Sequence, residues 1–293
     1  DNLAAGIYEI TASYAGNDTT VANSTSAILT VNKADSAVVI NVPDNINYTE
    51  NAAVNVDINA TAIGDIVFYL DGVKYTETRE NFNITDLAAG THVVSVVYNA
   101  NNNFTEYSAN FTINVAKIAP VMNITNDTIY YLDNATFTVE TNVPGYYTLF
   151  INGEEIIIVK VDGSLVITVP TSLVPDVYVV NVTVDETENY TAGMASAKLT
   201  VLRGHCIIDL TSSDIVYGNV EVISSSVPAD ATGNLTYTIR NGTGAVVRTV
   251  TLTIGEDWNV DGLAAGTYYV TAVYSGDDLY GASLATVNPT SFE

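Results

Sequence analysis

Apolar and polar residues alternate with period two in short runs along this chain, the spacing of strands that bury one face. Tyr268, Val270, Ala272 and Tyr274 fall on one side, while Thr267, Tyr269 and Thr271 fall on the other. Near the start, Tyr8, Ile10, Ala12 and Tyr14 oppose Glu9, Thr11 and Ser13 in the same way. After a polar loop a second alternating run follows, at Ala27–Val31, Phe111–Val115 and Ala197–Val201. Upstream, apolar strands run into turn dipeptides: Phe68–Leu70 into Asp71-Gly72, Leu149–Ile151 into Asn152-Gly153, and Tyr237–Ile239 shortly before Asn241-Gly242. Such dipeptides supply the positive φ that two-residue hairpins need. No stretch sustains a 3.6-residue period.

The pattern recurs at domain length. Leu3-Ala4-Ala5-Gly6 returns as Leu87-Ala88-Ala89-Gly90 and Leu263-Ala264-Ala265-Gly266, with a degenerate copy at Leu173-Val174-Pro175-Asp176. Successive leucines are 84, 86 and 90 residues apart, which is a whole domain and not a solenoid turn. About seven short strands per period predict a Greek-key sandwich. The expected fold is therefore all-β: tandem immunoglobulin-like β-sandwich domains forming an elongated rod. Its segments are 1–33, the C-terminal hairpin of an incomplete domain, then full domains at 34–117, 118–202 and 203–293. A lone hairpin is marginal in water, so the rest of that first domain either belongs to a longer chain or is supplied by a neighbouring copy.

Charge narrows the partners. With 33 acidic and 9 basic side chains the formal charge is −24, which repels nucleic acid and anionic lipid. Only 14% of the 293 residues are charged, so solubility falls to Asn, Thr, Ser and Tyr, a surface at home outside cells. Cys206 is the single cysteine, so no disulfide forms within the chain. No apolar run is long enough to span a bilayer, so this segment does not insert. The expectation is a mature piece of a longer extracellular, cell-surface protein.

The string Leu-Ala-Ala-Gly-Thr-Tyr-Tyr-Val-Thr-Ala-Val-Tyr-Ser-Gly-Asp-Asp-Leu-Tyr from Leu263 resembles the signature of bacterial-type Ig-like repeats. Val227-Pro-Ala-Asp-Ala-Thr-Gly-Asn-Leu-Thr-Tyr is similar to the variant in adhesin-like surface proteins of methanogenic archaea. The resemblance covers three full units and one partial unit. It implies stalks of stacked sandwiches on a cell envelope, with no catalytic residues to carry over. It also implies a tyrosine corner that bonds back to the backbone. Tyr8, Tyr178 and Tyr268 match that position, and His92 departs from it.

No residue set points to an enzyme. His205 and Cys206 are neighbours, so on a strand they face opposite ways, and two histidines with one cysteine do not make a zinc site. Calcium is the metal with available oxygen ligands, at Ser275-Gly276-Asp277-Asp278 and Asp185-Glu186-Thr187-Glu188, yet neither segment follows a known loop spacing. No cofactor is expected. Fourteen Asn-x-Ser/Thr sequons, among them Asn83, Asn110, Asn123, Asn181 and Asn234, are candidate glycosylation sites; alternation alone also places Asn and Thr two apart on an outer face. An isopeptide crosslink would need one of Lys33, Lys74, Lys117, Lys160 or Lys198 buried. Phe104, Tyr190 and Tyr280 hold equivalent loop positions and read as plugs at sandwich ends, and Trp258 reads as a core or inter-domain contact. The function expected is a structural or adhesion stalk. Its partners are further Ig-like repeats of the same chain or neighbouring copies, together with surface glycans or other cells. The alternatives are a filament subunit built by strand complementation and a carbohydrate-binding module.

Overall fold

The computed structural model describes residues 3–284, all strand, turn and loop; the end of the last expected domain, 285–293, lies outside the described residues. The chain divides into two compact units, one running to Pro120 and including Glu186–Ala192, the other holding Val121–Asp185 and the residues from Gly193 onward.

The first unit opens with a hairpin of β1 (Gly6–Tyr14) and β2 (Asn23–Val31), paired from Gly6 opposite Val31 to Tyr14 opposite Asn23. These two strands are the whole sheet. Its apolar side chains are uncovered, with Ile10 54% and Tyr14 47% exposed.

A sandwich follows: β3 (Val39–Asn41), β4 (Asn45–Asn47), β5 (Ala52–Asp57), β6 (Ile66–Leu70), β7 (Val73–Thr78), β8 (Phe82–Ile84), β9 (Gly90–Tyr98) and β10 (Tyr107–Ala116). One sheet has the order β3-β5-β8 and the other β4-β10-β9-β6-β7. Eight strands appear where about seven were expected, because the first strand breaks at Val42-Pro43. Proline has no N–H for the ladder; the chain changes sheets there, and β4 pairs parallel to β10. Alternate residues of the two sheets meet in a core of Val54, Ile66, Phe68, Ile84, Val96, Tyr98 and Ile113.

In the second unit the plan recurs twice, the second time without the parallel strand among the described residues. β11 (Met122–Ile124), β12 (Asp127–Tyr130), β13 (Ala135–Thr141), β14 (Gly145–Ile151), β15 (Glu154–Val161), β16 (Ser164–Val169), β17 (Asp176–Val184) and β18 (Gly193–Leu202) form sheets β11-β13-β16 and β12-β18-β17-β14-β15. Then β19 (Asp209–Thr211), β20 (Glu221–Ser226), β21 (Asn234–Asn241), β22 (Val246–Thr253), β23 (Trp258–Val260), β24 (Tyr268–Tyr274) and β25 (Ser283–Leu284) form β19-β20-β23 and β22-β21-β24-β25. The chain is thus a tandem set of Ig-like Greek-key sandwiches.

Asp71-Gly72 takes φ of 50° and 83° and Asn152-Gly153 takes 49° and 87°, the left-handed pair of a two-residue turn. Asn241-Gly242 does not. There the positive φ falls on Gly244, at 82°. The Asn241 carboxamide oxygen accepts from Thr243 N, Thr243 Oγ1 and Ala245 N at 3.2, 2.8 and 2.9 Å. That side chain stabilises a longer loop, and the dipeptide turn is lost.

Leu149 lies at the centre of the second sandwich, fully buried. Leu149→Ala removes its methyl groups from a close-packed site and is expected to lower unfolding free energy by about 2–5 kcal/mol, read from the denaturant midpoint of that sandwich.

Candidate functional site: corners and collars at the repeat ends

The corner is made four times. Tyr8, Tyr178 and Tyr268 donate their hydroxyls to the carbonyls of Ala4, Val174 and Ala264 at 2.7, 2.9 and 2.9 Å. His92 reaches the equivalent Ala88 carbonyl through Nε2 at 2.9 Å. Its other nitrogen does what a phenol cannot: Nδ1 lies 2.8 Å from Asp71 Oδ2. The second oxygen of Asp71 accepts from Val93 N at 2.8 Å, as the Asn152 oxygen accepts from Val179 N at 2.9 Å. The first residue of each two-residue turn therefore pins the strand that begins at the corner. Burial pulls the His92 pKa down, but the hydrogen bonds to Asp71 and Ala88 outweigh it and leave it raised. The hydrogen bonds from His92 and the Val93 amide hold Asp71 below its ordinary value.

The loop that follows each corner strand closes like a collar around one side-chain oxygen. Asn17 Oδ1 accepts from Thr19 N and Thr20 N at 3.0 and 2.9 Å. Asn101 Oδ1 accepts from Asn103 N and Phe104 N, both at 2.9 Å. Thr187 Oγ1 accepts from Tyr190 N at 3.2 Å. Asp277 Oδ1 accepts from Leu279 N and Tyr280 N at 2.8 and 2.7 Å, and its Oδ2 takes Thr232 N at 2.6 Å. Burial alone would raise the Asp277 carboxyl; the amide hydrogens of Thr232, Tyr280 and Leu279 hold it well below the carboxylate range. Gly276 turns into this collar with φ of 77°, and a Cβ there would sit 2.8 Å from Ala282 N.

The last three collars each present an aromatic ring, and the chain arriving from the previous repeat forms a parallel bridge beside it. In the first unit these bridges are Ala34 with Phe104 and Ile118 with Tyr190; in the second it is Gly204 with Tyr280. Two amides of the Leu-Ala-Ala-Gly turns also find collar oxygens: Ala5 N donates to Asn103 Oδ1 at 3.0 Å and Ala89 N to Asn189 Oδ1 at 2.8 Å. Rings complete the contact edge-on, Tyr48 against Tyr190 at 5.4 Å and Tyr131 against Tyr280 at 5.6 Å. In the second unit Asp230 accepts from both Tyr131 and Tyr280 hydroxyls, at 3.0 and 2.8 Å. Burial and Asp230 together push the Tyr280 phenol up to about 12.

The remaining candidates are not brought together. Asp277 spends its oxygens on amides, and Asp278 faces Arg203 at 3.8 Å; Glu186 faces Lys117. Cys206 is buried, which pushes its thiol up, while His205 packs on the Tyr130 ring at 4.4 Å. Each of the five lysines is exposed or half-buried. Asn83, Asn110, Asn123 and Asn234 are exposed, whereas Asn181 is half-buried and accepts from Ser196 Oγ at 2.7 Å. Trp258 is half-buried and packs near Tyr237 at 6.1 Å. Sequence reasoning did not single out Asn103, Asn189, Tyr131 or Asp230. A signal for the first two was present: where Pro175 replaces the donating alanine, Leu279 replaces the accepting asparagine.

No family model and no curated protein matches this chain. Among solved structures it is similar to the N-terminal four Ig domains of Dscam1 isoform 6.9, at 10% identity and TM-score 0.31 over 92% of this chain and 76% of that one. It is also similar to chicken CNTN1 FN1–FN3 domains, at 11% identity and TM-score 0.25 over 86% and 96%. A third similarity is to the fibronectin(III)-like modules of Clostridium thermocellum CbhA, at 13% identity and TM-score 0.25 over 56% and 93%.

Asp277→Ala strands four donors and is expected to cost the last sandwich about 2–3 kcal/mol. Asp277→Asn is expected to recover most of that, since Asn101 does the same work, with both read by chemical denaturation. For the His92–Asp71 pair the signs are opposite. His92, raised on folding, contributes fully below its ordinary value of about 6.5 and loses that contribution as pH rises through its folded value. Asp71, lowered on folding, contributes above about 3.9 and loses it as pH falls through its folded value. The pair therefore contributes most between about pH 4 and 6.5. His92→Tyr is expected to flatten the decline in stability of this sandwich above that window, and an unchanged slope would assign the decline to another group.

Proposed function

We propose that this chain is a stretch of an extracellular stalk, a structural or adhesion protein of a microbial and specifically archaeal surface, in which Ig-like repeats act as a spacer. The observation that carries this reading is the collar bridge. Ala34, Ile118 and Gly204 are each hydrogen-bonded into a collar within a few residues of the preceding strand. A pull on the chain then meets ladder hydrogen bonds and buried rings, with little slack linker to take it up. The archaeal assignment rests on the sequence resemblance, and the exposed sequons fit a glycosylated surface.

A second reading, a filament subunit, is favoured by one feature. The hairpin β1–β2 is a two-stranded sheet whose apolar side chains are uncovered, the state in which strands from another copy complete a fold.

Sedimentation velocity with negative-stain microscopy separates the two. The spacer reading expects particles of finite size and high frictional ratio at every concentration. Open-ended growth with concentration, abolished by Ile10→Lys in the hairpin, would replace it with the filament reading.

A further inference from the structure

The edge strand β15 differs from its counterparts in the other two sandwiches. It is the outer member of β12-β18-β17-β14-β15, so among the described residues no strand pairs with its far side. An exposed strand edge is a template for another chain unless it is interrupted. The counterpart β7 carries Lys74 and Glu77 within the strand, paired at 2.6 Å, and β22 carries Arg248 facing Asp261 at 3.5 Å. In β15 the charges move to the ends. Glu154 and Glu155 open the strand and Lys160 lies near its close, leaving Ile156-Ile157-Ile158-Val159 between them. Ile156, Ile157 and Ile158 are 39%, 39% and 55% exposed.

The pairing of β15 with β14 fixes which side chains share a face. Ile157, Val159 and Val161 lie opposite Leu149, Tyr147 and Gly145, on the side of the core. Ile158, Lys160 and Glu155 lie opposite Thr148, Tyr146 and Phe150, on the outer side, and the one-residue bulge at Ile156 puts Glu155 there. An antiparallel twin of this strand centred on Ile158 sets Ile158 against its own copy and Ile157 against Val159. Counting outward through the bulge, Glu155 then arrives opposite Lys160 on the same face. Symmetry makes that ion pair twice. Unlike charges at the two ends of an apolar strand are complementary to an antiparallel copy of the same strand, and opposite charges facing across a ladder favour that register.

We propose that β15 is a homodimerisation edge: β15 of a second copy of this chain pairs with it antiparallel about a two-fold axis through Ile158, joining two five-stranded sheets into one. The interface is isologous and closes on itself, so it yields dimers and no open chain.

The test is sedimentation equilibrium of the full chain from about 1 to 100 µM, at about 0.15 M salt where the Debye length of ~8 Å mutes repulsion between copies. The expected result is a reversible monomer–dimer equilibrium within that range. Glu155→Lys and Lys160→Glu, exposed edge changes checked for folding by circular dichroism, each weaken it at least tenfold because like charges then face each other. The double swap Glu155→Lys with Lys160→Glu restores it. Ile10→Lys on the apolar face of the hairpin leaves it unchanged, which separates this edge from hairpin-driven growth. A chain that stays monomeric across the range, single reversals without effect, a double swap that fails to recover the dimer, or a dimer lost with Ile10→Lys would each overturn the proposal.

Discussion

Where a sandwich ends, its ladder ends too, and every amide that leaves the ladder needs an oxygen. A buried N–H left without one costs about 1–3 kcal/mol, and here the loop turns back within three residues, where the backbone bond from the first amide to the carbonyl three residues on leaves further amides to be met. One side chain at the start of the loop solves the problem each time: Asn17, Asn101, Thr187 and Asp277. The other features of the repeat ends follow. A loop closed on its own oxygen has a fixed shape, which holds Phe104 and Tyr280 in a buried position. A fixed ring and a fixed backbone give the incoming chain an edge to bridge.

Much of the fold was legible because it rests on local chemistry. Alternation named the strands, and Asp71-Gly72 and Asn152-Gly153 named two turns because positive φ is a local demand. Asn241-Gly242 misled because the asparagine side chain offers a competing local solution, one that period and composition do not reveal. The corner residues were found from a repeated position, including the departure at His92. Its partner Asp71 was not, because 21 residues of chain separate them and only the register of β6, β7 and β9 brings them together. Tyr131 and Asp230, 99 residues apart, are likewise visible only once both sandwiches are built.

With so few charged side chains, the outer faces rely on hydroxyls and amides. Thr236 and Thr251 meet at 3.0 Å across β21 and β22, and Thr238 and Thr249 at 3.5 Å. Such pairs hold water and add cross-strand contact without depending on ionic strength. Two of the few ion pairs, Lys117 with Glu186 and Arg203 with Asp278, sit at repeat ends, where a threonine ladder has no second strand to form on.

The exchange of Ala for Pro at 175 together with Asn for Leu at 279 has a bearing on how such a chain can be edited. The donor and acceptor of each such amide bond lie 98 and 100 residues apart, on opposite sides of the boundary at which a repeat is most simply excised. A cassette moved whole from one boundary to the next leaves half of its coupling behind. Set after an alanine turn, a leucine collar meets an amide it cannot satisfy; set after a proline turn, an asparagine collar has no hydrogen to accept. Repeats of this kind are therefore not freely interchangeable beads. Because these partners lie farther apart than the 84 to 90 residues of one repeat, no single-repeat cassette holds both, and the segment inherited intact must run from one repeat's Leu-Ala-Ala-Gly turn through the collar of the next, so that its unit is the junction and not the domain.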